Sequence, residues 1–182
     1  MKFIETELAG AWLIELEPAV DERGFFARSW CQREFAEHGL DSQLVQCNIS
    51  YNARRGTLRG MHYQAAPHGE TKLVRVTRGA IYDVLLDVRA DSPTFGRWVG
   101  VTLSAENRRQ LWIPAGFAHG FVVTSDSAEF LYKTTDYWAP QYERCIAWND
   151  PAVGIEWPFE GEPVMSAKDK EGKLLKDAEV FA

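Results

Sequence analysis

Two histidines stand where strand and turn signals meet. His62 lies in Leu58-Arg59-Gly60-Met61-His62-Tyr63-Gln64, after an Arg54-Arg55-Gly56 turn, and His119 follows the Pro114-Ala115-Gly116 turn. Imidazole is the side chain that exchanges protons near neutral pH. A single strand histidine is usually structural, but two entering strands of one small barrel would converge on its interior. His38 and His68 are expected at the surface. Tyr132 shares one face of a strand with Phe130, Thr134 and Asp136, and Trp138 follows in phase. That pattern suits a proton donor beside a stacking platform; each aromatic taken alone would read as core. Lys72 has the parity of Val74 and Val76, so it points inward, and an inward lysine is either paired or functional. Asp169, in Ser166-Ala167-Lys168-Asp169, falls in an expected loop and alone would pass as a solvated charge.

These residues need strands to hold them. The clearest strand is Ile81 to Arg89, where Tyr82, Val84, Leu86 and Val88 alternate with the other set and are assigned the buried face. Lys72 to Arg78 precedes it, and Gly79-Ala80 is short enough for a tight hairpin. Further strands are expected at Trp12–Glu17, Gly24–Arg28, Leu44–Tyr51, Thr57–Tyr63, Trp98–Leu103, Arg109–Ile113, His119–Thr124 and Glu129–Tyr137. One helix, Gln32–His38, is expected with Ser29 as its cap, Phe35 on its apolar side and Gly39 as its stop. A second short helix is expected near Gly172–Asp177. Many short strands with few helices predict an all-β sandwich or barrel, with a ligand pocket at its mouth.

At 182 residues, 46% hydrophobic and 13% aromatic, the chain is long enough for a core and reads as one domain, 1–182. A net charge of −6 speaks against nucleic acid as a partner. The start, MKFIETELAG, builds no apolar run, and no stretch approaches the roughly 20 apolar residues of a membrane span. Cys31, Cys47 and Cys145 show no framework or metal-like spacing, which suggests reduced thiols and a cytoplasmic location.

Metal chemistry is tested against the metal-binding cupin pattern. Its second half is partly kept as Pro114-x-Gly116-x2-His119, but Gln64 stands where the first half needs its second histidine. His62, His119 and Glu70 could supply three donors, yet an amide is a poor ligand. No metal and no cofactor is expected.

The strings DERGFF, LRGMHYQ, KLVRVTRGAIYDV, SPTFGRWVGV, LSAENRRQLWIPAGFAHGF, FLYKTTDYWAP and MSAKD together resemble the dTDP-4-dehydrorhamnose 3,5-epimerase family over nearly the whole chain. The resemblance implies a homodimeric, metal-free cupin-type jelly roll with short peripheral helices. It implies inversion at C3 and C5 of a dTDP-linked 4-keto-6-deoxy hexose. In it His62 would be the base, paired with Asp169; Tyr132 the acid; Lys72 the group stabilising the enolate oxygen; and His119 a sugar contact. Arg23, Gln46, Asn48, Arg59, Glu143 and Lys168 match nucleotide-binding positions, and Trp138 replaces a thymine-stacking tyrosine. Two departures stand out. Arg28 occupies a position where the family has a nucleotide-contacting glutamate, which reverses the hydrogen-bonding code. Cys47 replaces an aspartate. Arg28 leaves open a C3-only epimerase or a different nucleotide; a metal-dependent cupin and a non-catalytic sugar-binding cupin are the remaining alternatives.

Overall fold

Period-two patterning resolves into strands β1 (Lys2–Glu5), β2 (Trp12–Glu15), β3 (Ala19–Asp21), β4 (Gly24–Phe26), β5 (Gln46–Asn52), β6 (Leu58–Gln64), β7 (Lys72–Arg78), β8 (Ala80–Asp87), β9 (Trp98–Ser104), β10 (Gln110–Ile113), β11 (Phe117–Val123), β12 (Ala128–Thr134) and β13 (Glu143–Cys145). The helices are α1 (Gln32–Glu37) and α2 (Ala167–Lys170). The computed structural model describes residues 1–40 and 43–181. None of its helices is long and apolar enough to cross a membrane.

The strands pair antiparallel into a six-stranded sheet, β1-β2-β10-β7-β12-β5, and a five-stranded sheet, β13-β6-β11-β8-β9. A separate ribbon joins β3 to β4. The two large sheets pack face to face as a cupin-type jelly roll. Their inner faces share one apolar core, including Val74, Val76, Ile81, Leu85, Leu111, Phe117, Phe121 and Phe130.

One expectation about β7 and β8 needs correction, and a second holds but is incomplete. These strands form no hairpin; Gly79 carries the chain from one sheet to the other. Its φ is +74°, and a Cβ there would lie 2.0 Å from the Ser127 carbonyl oxygen, so only glycine fits the corner. On β8 both faces are buried. Ile81 and Leu85 face the barrel interior, whereas Val84, Leu86 and Val88 pack outward under Ile155, Trp157, Leu175 and Phe181. The C-terminal segment covers that outer face, so alternation there separates two cores instead of core from solvent.

A helix of six residues has little stability alone, so α1 depends on Phe35, fully buried against Ile14, Leu73 and Trp112. Its N-cap is Cys31, with no side-chain cap bond. The expected cap, Ser29, instead offers its carbonyl to Gln110 Nε2 at 2.7 Å. The second expected helix is a single 3-10 turn at Leu175–Asp177.

Beyond β8, Asp87 gathers the turn into β9. Its Oδ1 accepts from Arg89 N and Nε at 3.0 and 2.9 Å; its Oδ2 accepts from Arg89 Nη2, Ser92 Oγ and Thr94 Oγ1 at 2.7, 2.5 and 2.6 Å. Burial pushes this carboxyl up, but these bonds outweigh it and hold it at about 2. A lowered folded-state value means that the stabilisation is complete above the ordinary 3.8 and lost as the pH falls towards about 2. Asp87→Asn is therefore expected to cost about 2–3 kcal/mol in urea unfolding at neutral pH. The deficit shrinks as the pH is lowered through that window; a constant deficit would contradict the assignment.

Gly60 sets the approach of β6 to β11. Its φ is +124°, and a Cβ there would meet Gly120 Cα at 2.5 Å and the His119 carbonyl at 2.9 Å. At Gly161, with φ +79°, a Cβ meets nothing within 4 Å. Gly60→Ala should therefore lower stability by about 1–3 kcal/mol beyond Gly161→Ala, read by thermal unfolding of both variants. Equal losses would show that the strand contact carries no load.

Candidate active site

Between the sheets lies a cavity of about 770 Å³. On one wall, β6 presents Arg59 and His62, β11 presents His119, and β13 presents Glu143. On the other, β5 presents Gln46 and Asn48, β7 presents Lys72, and β12 presents Tyr132. Trp138, Lys168 and Asp169 complete the lining. Residues spread over more than 120 sequence positions thus meet in one space.

Asp169 sits in α2, where a loop was expected. Ser166 caps this single turn by accepting from Asp169 N at 3.1 Å. The Ser-x-x-Asp spacing is a helix-start signal that the sequence carried. The turn drives Asp169 against His62, with Oδ1 2.5 Å from Nε2. Burial pushes the Asp169 carboxyl up, but the bond and charge of His62 outweigh it, with help from Ser166, and hold it below the ordinary range. An ionised carboxylate therefore faces the ring. On the other side of the imidazole, Glu143 Oε1 stands 3.5 Å from Nδ1, and Glu143 Oε2 binds Lys168 Nζ at 2.6 Å.

A second imidazole–carboxylate pair, not anticipated from the sequence, lies deeper. His119 Nε2 is 2.9 and 3.0 Å from the two oxygens of Asp83, and its ring stacks on Phe130 with centroids 5.8 Å apart. Asp83 is fully buried, and burial pushes its carboxyl up against the pull of His119. The alternation on β8 that places Ile81 and Leu85 inward also places Asp83 there, which was the available signal.

Lys72 Nζ lies 3.1 Å from Glu70 Oε1, both side chains being largely buried. Tyr132 is half-buried; burial, then the charges of Glu70 and Glu143, push its phenol above the ordinary 10. At neutral pH it is a proton donor. Arg59 Nε binds Asn52 Oδ1 at 2.7 Å. Trp138 is 64% exposed at the mouth, its backbone N–H donating to Gln46 Oε1 at 2.9 Å.

Arg23 and Arg28 do not join this group within one chain. Arg23 is exposed on the β3–β4 ribbon and paired with Asp21. Arg28 is exposed and bound to Glu34 Oε1 at 3.0 Å. His38 is exposed, as expected, and His68, partly exposed, lies 3.3 Å from Asp136.

The donors weighed for a metal are committed elsewhere: His62 to Asp169, His119 to Asp83, and Glu70 to Lys72. Gln64 spends its amide on the backbone. Its Nε2 donates to the carbonyls of His68 and Tyr137 at 2.8 and 3.2 Å, and its Oε1 accepts from Ala139 N at 2.6 Å. That set does not fit a metal-cupin centre.

Residues 5–177 match the model of the dTDP-4-dehydrorhamnose 3,5-epimerase family. A protein of that name from Pseudomonas aeruginosa is 56% identical over 97% of this chain and 98% of its own length. Among solved structures, the dTDP-6-deoxy-D-glucose-3,5-epimerase of Legionella pneumophila in complex with dTDP-4-keto-L-rhamnose is 45% identical. It has a TM-score of 0.92, covering 98% of this chain and 94% of that one. A 3′-monoepimerase from Streptomyces bikiniensis, solved with dTDP-quinovose, is 34% identical at a TM-score of 0.89, covering 95% and 87%. With a whole-chain match and a shared fold, this protein belongs to the dTDP-4-dehydrorhamnose 3,5-epimerase family.

Proposed function

We propose that the protein is an isomerase that inverts C3 and C5 of a dTDP-linked 4-keto-6-deoxy hexose. The observation that carries this reading is a carboxylate-paired imidazole and a protonated phenol lining one cavity from opposite sheets. Both carbons lie α to the C4 ketone, so loss of either proton leaves its electron pair in an enolate. His62 takes the proton, while Asp169 fixes the ring and balances the charge it acquires. Tyr132 returns a proton to the other face, which inverts the centre. Exchange with solvent resets both groups before the second inversion. Lys72 faces the oxygen that becomes negative, a preorganised role worth about 2.7–4 kcal/mol where such groups have been removed. His119, held by Asp83, orients the sugar.

At the nucleotide end, Arg59 and Lys168 supply positive charge for a diphosphate, Trp138 a stacking surface for the base, and Gln46, Asn48 and Glu143 polar contacts. Arg23 and Arg28 are assigned to this end through a second copy of the chain. The support is a ribbon with Val20, Phe25 and Phe26 exposed by 75%, 51% and 78%, and an open sheet edge at β5 bearing exposed Ile49 and Tyr51. Exposed aromatics and an unpaired edge are surfaces that a partner covers, which supports a homodimer. Three free thiols support a cytoplasmic location.

Turnover of dTDP-4-keto-6-deoxyglucose in deuterated water should place label at C3 and C5; label at C3 alone would favour the monoepimerase reading, and none would overturn the reaction. Tyr132→Phe should lower kcat by about 10²-fold or more with little change in ligand Kd; unchanged kcat would remove the acid role. Light scattering should give twice the chain mass. Phe26→Asp should halve that mass and raise KM, and a monomeric wild type would refute the assembly.

A further inference from the structure

Cys145 stands directly across from His62 in the β13–β6 pair, and the reaction has no use for its thiol. Directly opposed residues of an antiparallel pair bring their Cβ atoms to about 4.5–5.5 Å on one face. Asp169 closes the third side. One donor atom from each of His62, Cys145 and Asp169 lies within 4.8 Å of the other two. Imidazole nitrogen, thiolate sulfur and carboxylate oxygen are the donor types that hold Zn²⁺ tetrahedrally at about 2.0–2.3 Å. Drawing these three onto one ion is a matter of side-chain rotation, since their backbones already converge.

We propose that His62, Cys145 and Asp169 form an inhibitory site for a borderline-soft divalent cation, zinc in particular. The surroundings favour positive charge. Glu143 Oε1 lies 3.5 Å from His62 Nδ1, a nitrogen that is buried without a hydrogen-bond partner. With a cation on Nε2, the Nδ1–H is free to donate towards Glu143, the outer-shell arrangement that fixes metal-bound histidines. The carboxylates of Asp169 and Glu143 flank this group and attract a metal ion. On binding, the thiol proton passes to solvent and the sulfur lone pair forms the metal bond. The cation takes the place of the proton between Nε2 and Asp169, that ring proton moves to Nδ1, and water fills the fourth position. Nothing is oxidised or reduced. Magnesium and calcium prefer all-oxygen sites, so they are poor occupants.

The consequence for activity rests on the proposed role of His62: with the cation on Nε2 and the ring proton on Nδ1, the imidazole has no lone pair left to take a proton from the sugar. The test uses chelator-treated protein and its Cys145→Ala variant, which leaves every proposed catalytic and binding group in place. Wild-type turnover should fall reversibly as free zinc rises, and Cys145→Ala should need at least about tenfold more zinc. Magnesium should leave both unaffected. Cobalt(II) titration supplies a readout independent of turnover: wild type should develop a near-ultraviolet thiolate-to-cobalt absorption that Cys145→Ala lacks. Equal zinc sensitivity of the two proteins, or cobalt binding without the thiolate band, overturns the site. If no keto sugar is turned over, the cobalt spectrum still decides the site.

Discussion

Polar groups placed between two apolar sheets survive there only as partners, because an ion withdrawn from water and left alone costs several kcal/mol. The ionisable pairs of the cavity obey this constraint. His62 meets Asp169, His119 meets Asp83, Lys72 meets Glu70, and Lys168 meets Glu143. Three of these pairs also join separate elements: β6 to α2, β11 to β8, and β13 to α2. The pairing that makes the charges tolerable therefore fixes where they stand. Preorganisation for proton transfer follows from the same contacts that hold the walls together, since a base orients usefully only when its partner is itself immobile.

Asp169 is held in place by the chain around it, which covers the outer face of the five-stranded sheet. Ile155, Trp157, Leu175, Ala178 and Phe181 pack over Met61, Tyr63, Val84, Leu86 and Val88. Met61 and Ile146 exchange backbone hydrogen bonds at 3.2 and 2.9 Å, Lys173 N donates to the Cys145 carbonyl at 3.0 Å, and Tyr63 donates its hydroxyl to the Glu179 carbonyl. This outer core is independent of the inner one, yet it holds the carboxylate that faces His62. The C-terminal covering, distant in sequence from every other cavity residue except Trp138 and Glu143, acts as part of the site.

The inner face of β7 was legible, since Lys72, Val74 and Val76 obey a strict period of two and the sheet keeps it. The strand positions of β6, β9, β10 and β12 were likewise legible within a few residues. What escaped has identifiable causes. On β8 apolar residues occupy both parities, so period alone cannot say which set faces the inner core, and Asp83 was passed over with it. A two-residue link reads as a hairpin until tertiary contacts show Gly79 turning between sheets. β13 is three residues long, too short for a periodic signal, and it carries Glu143. The cap of α2 was written in Ser166 and Asp169, but a four-residue helix has no apolar stripe to draw attention to it.

Gln64 shows how one substitution redirects a barrel of this type. Its parity with His62 points it to the same side of β6, where a metal-binding pattern would use a second histidine. Here the amide ties together the carbonyls of His68 and Tyr137 and the N–H of Ala139. Those bonds shape the loop that carries Trp138 to the cavity mouth. An imidazole has only two ring nitrogens and could not make all three contacts, so a histidine at this position would release the loop. The amide that is poor as a metal ligand is thus well matched to positioning the mouth. His62, on the same side of β6, pairs instead with the Asp169 carboxylate, whose Oδ1 lies 2.5 Å from its Nε2.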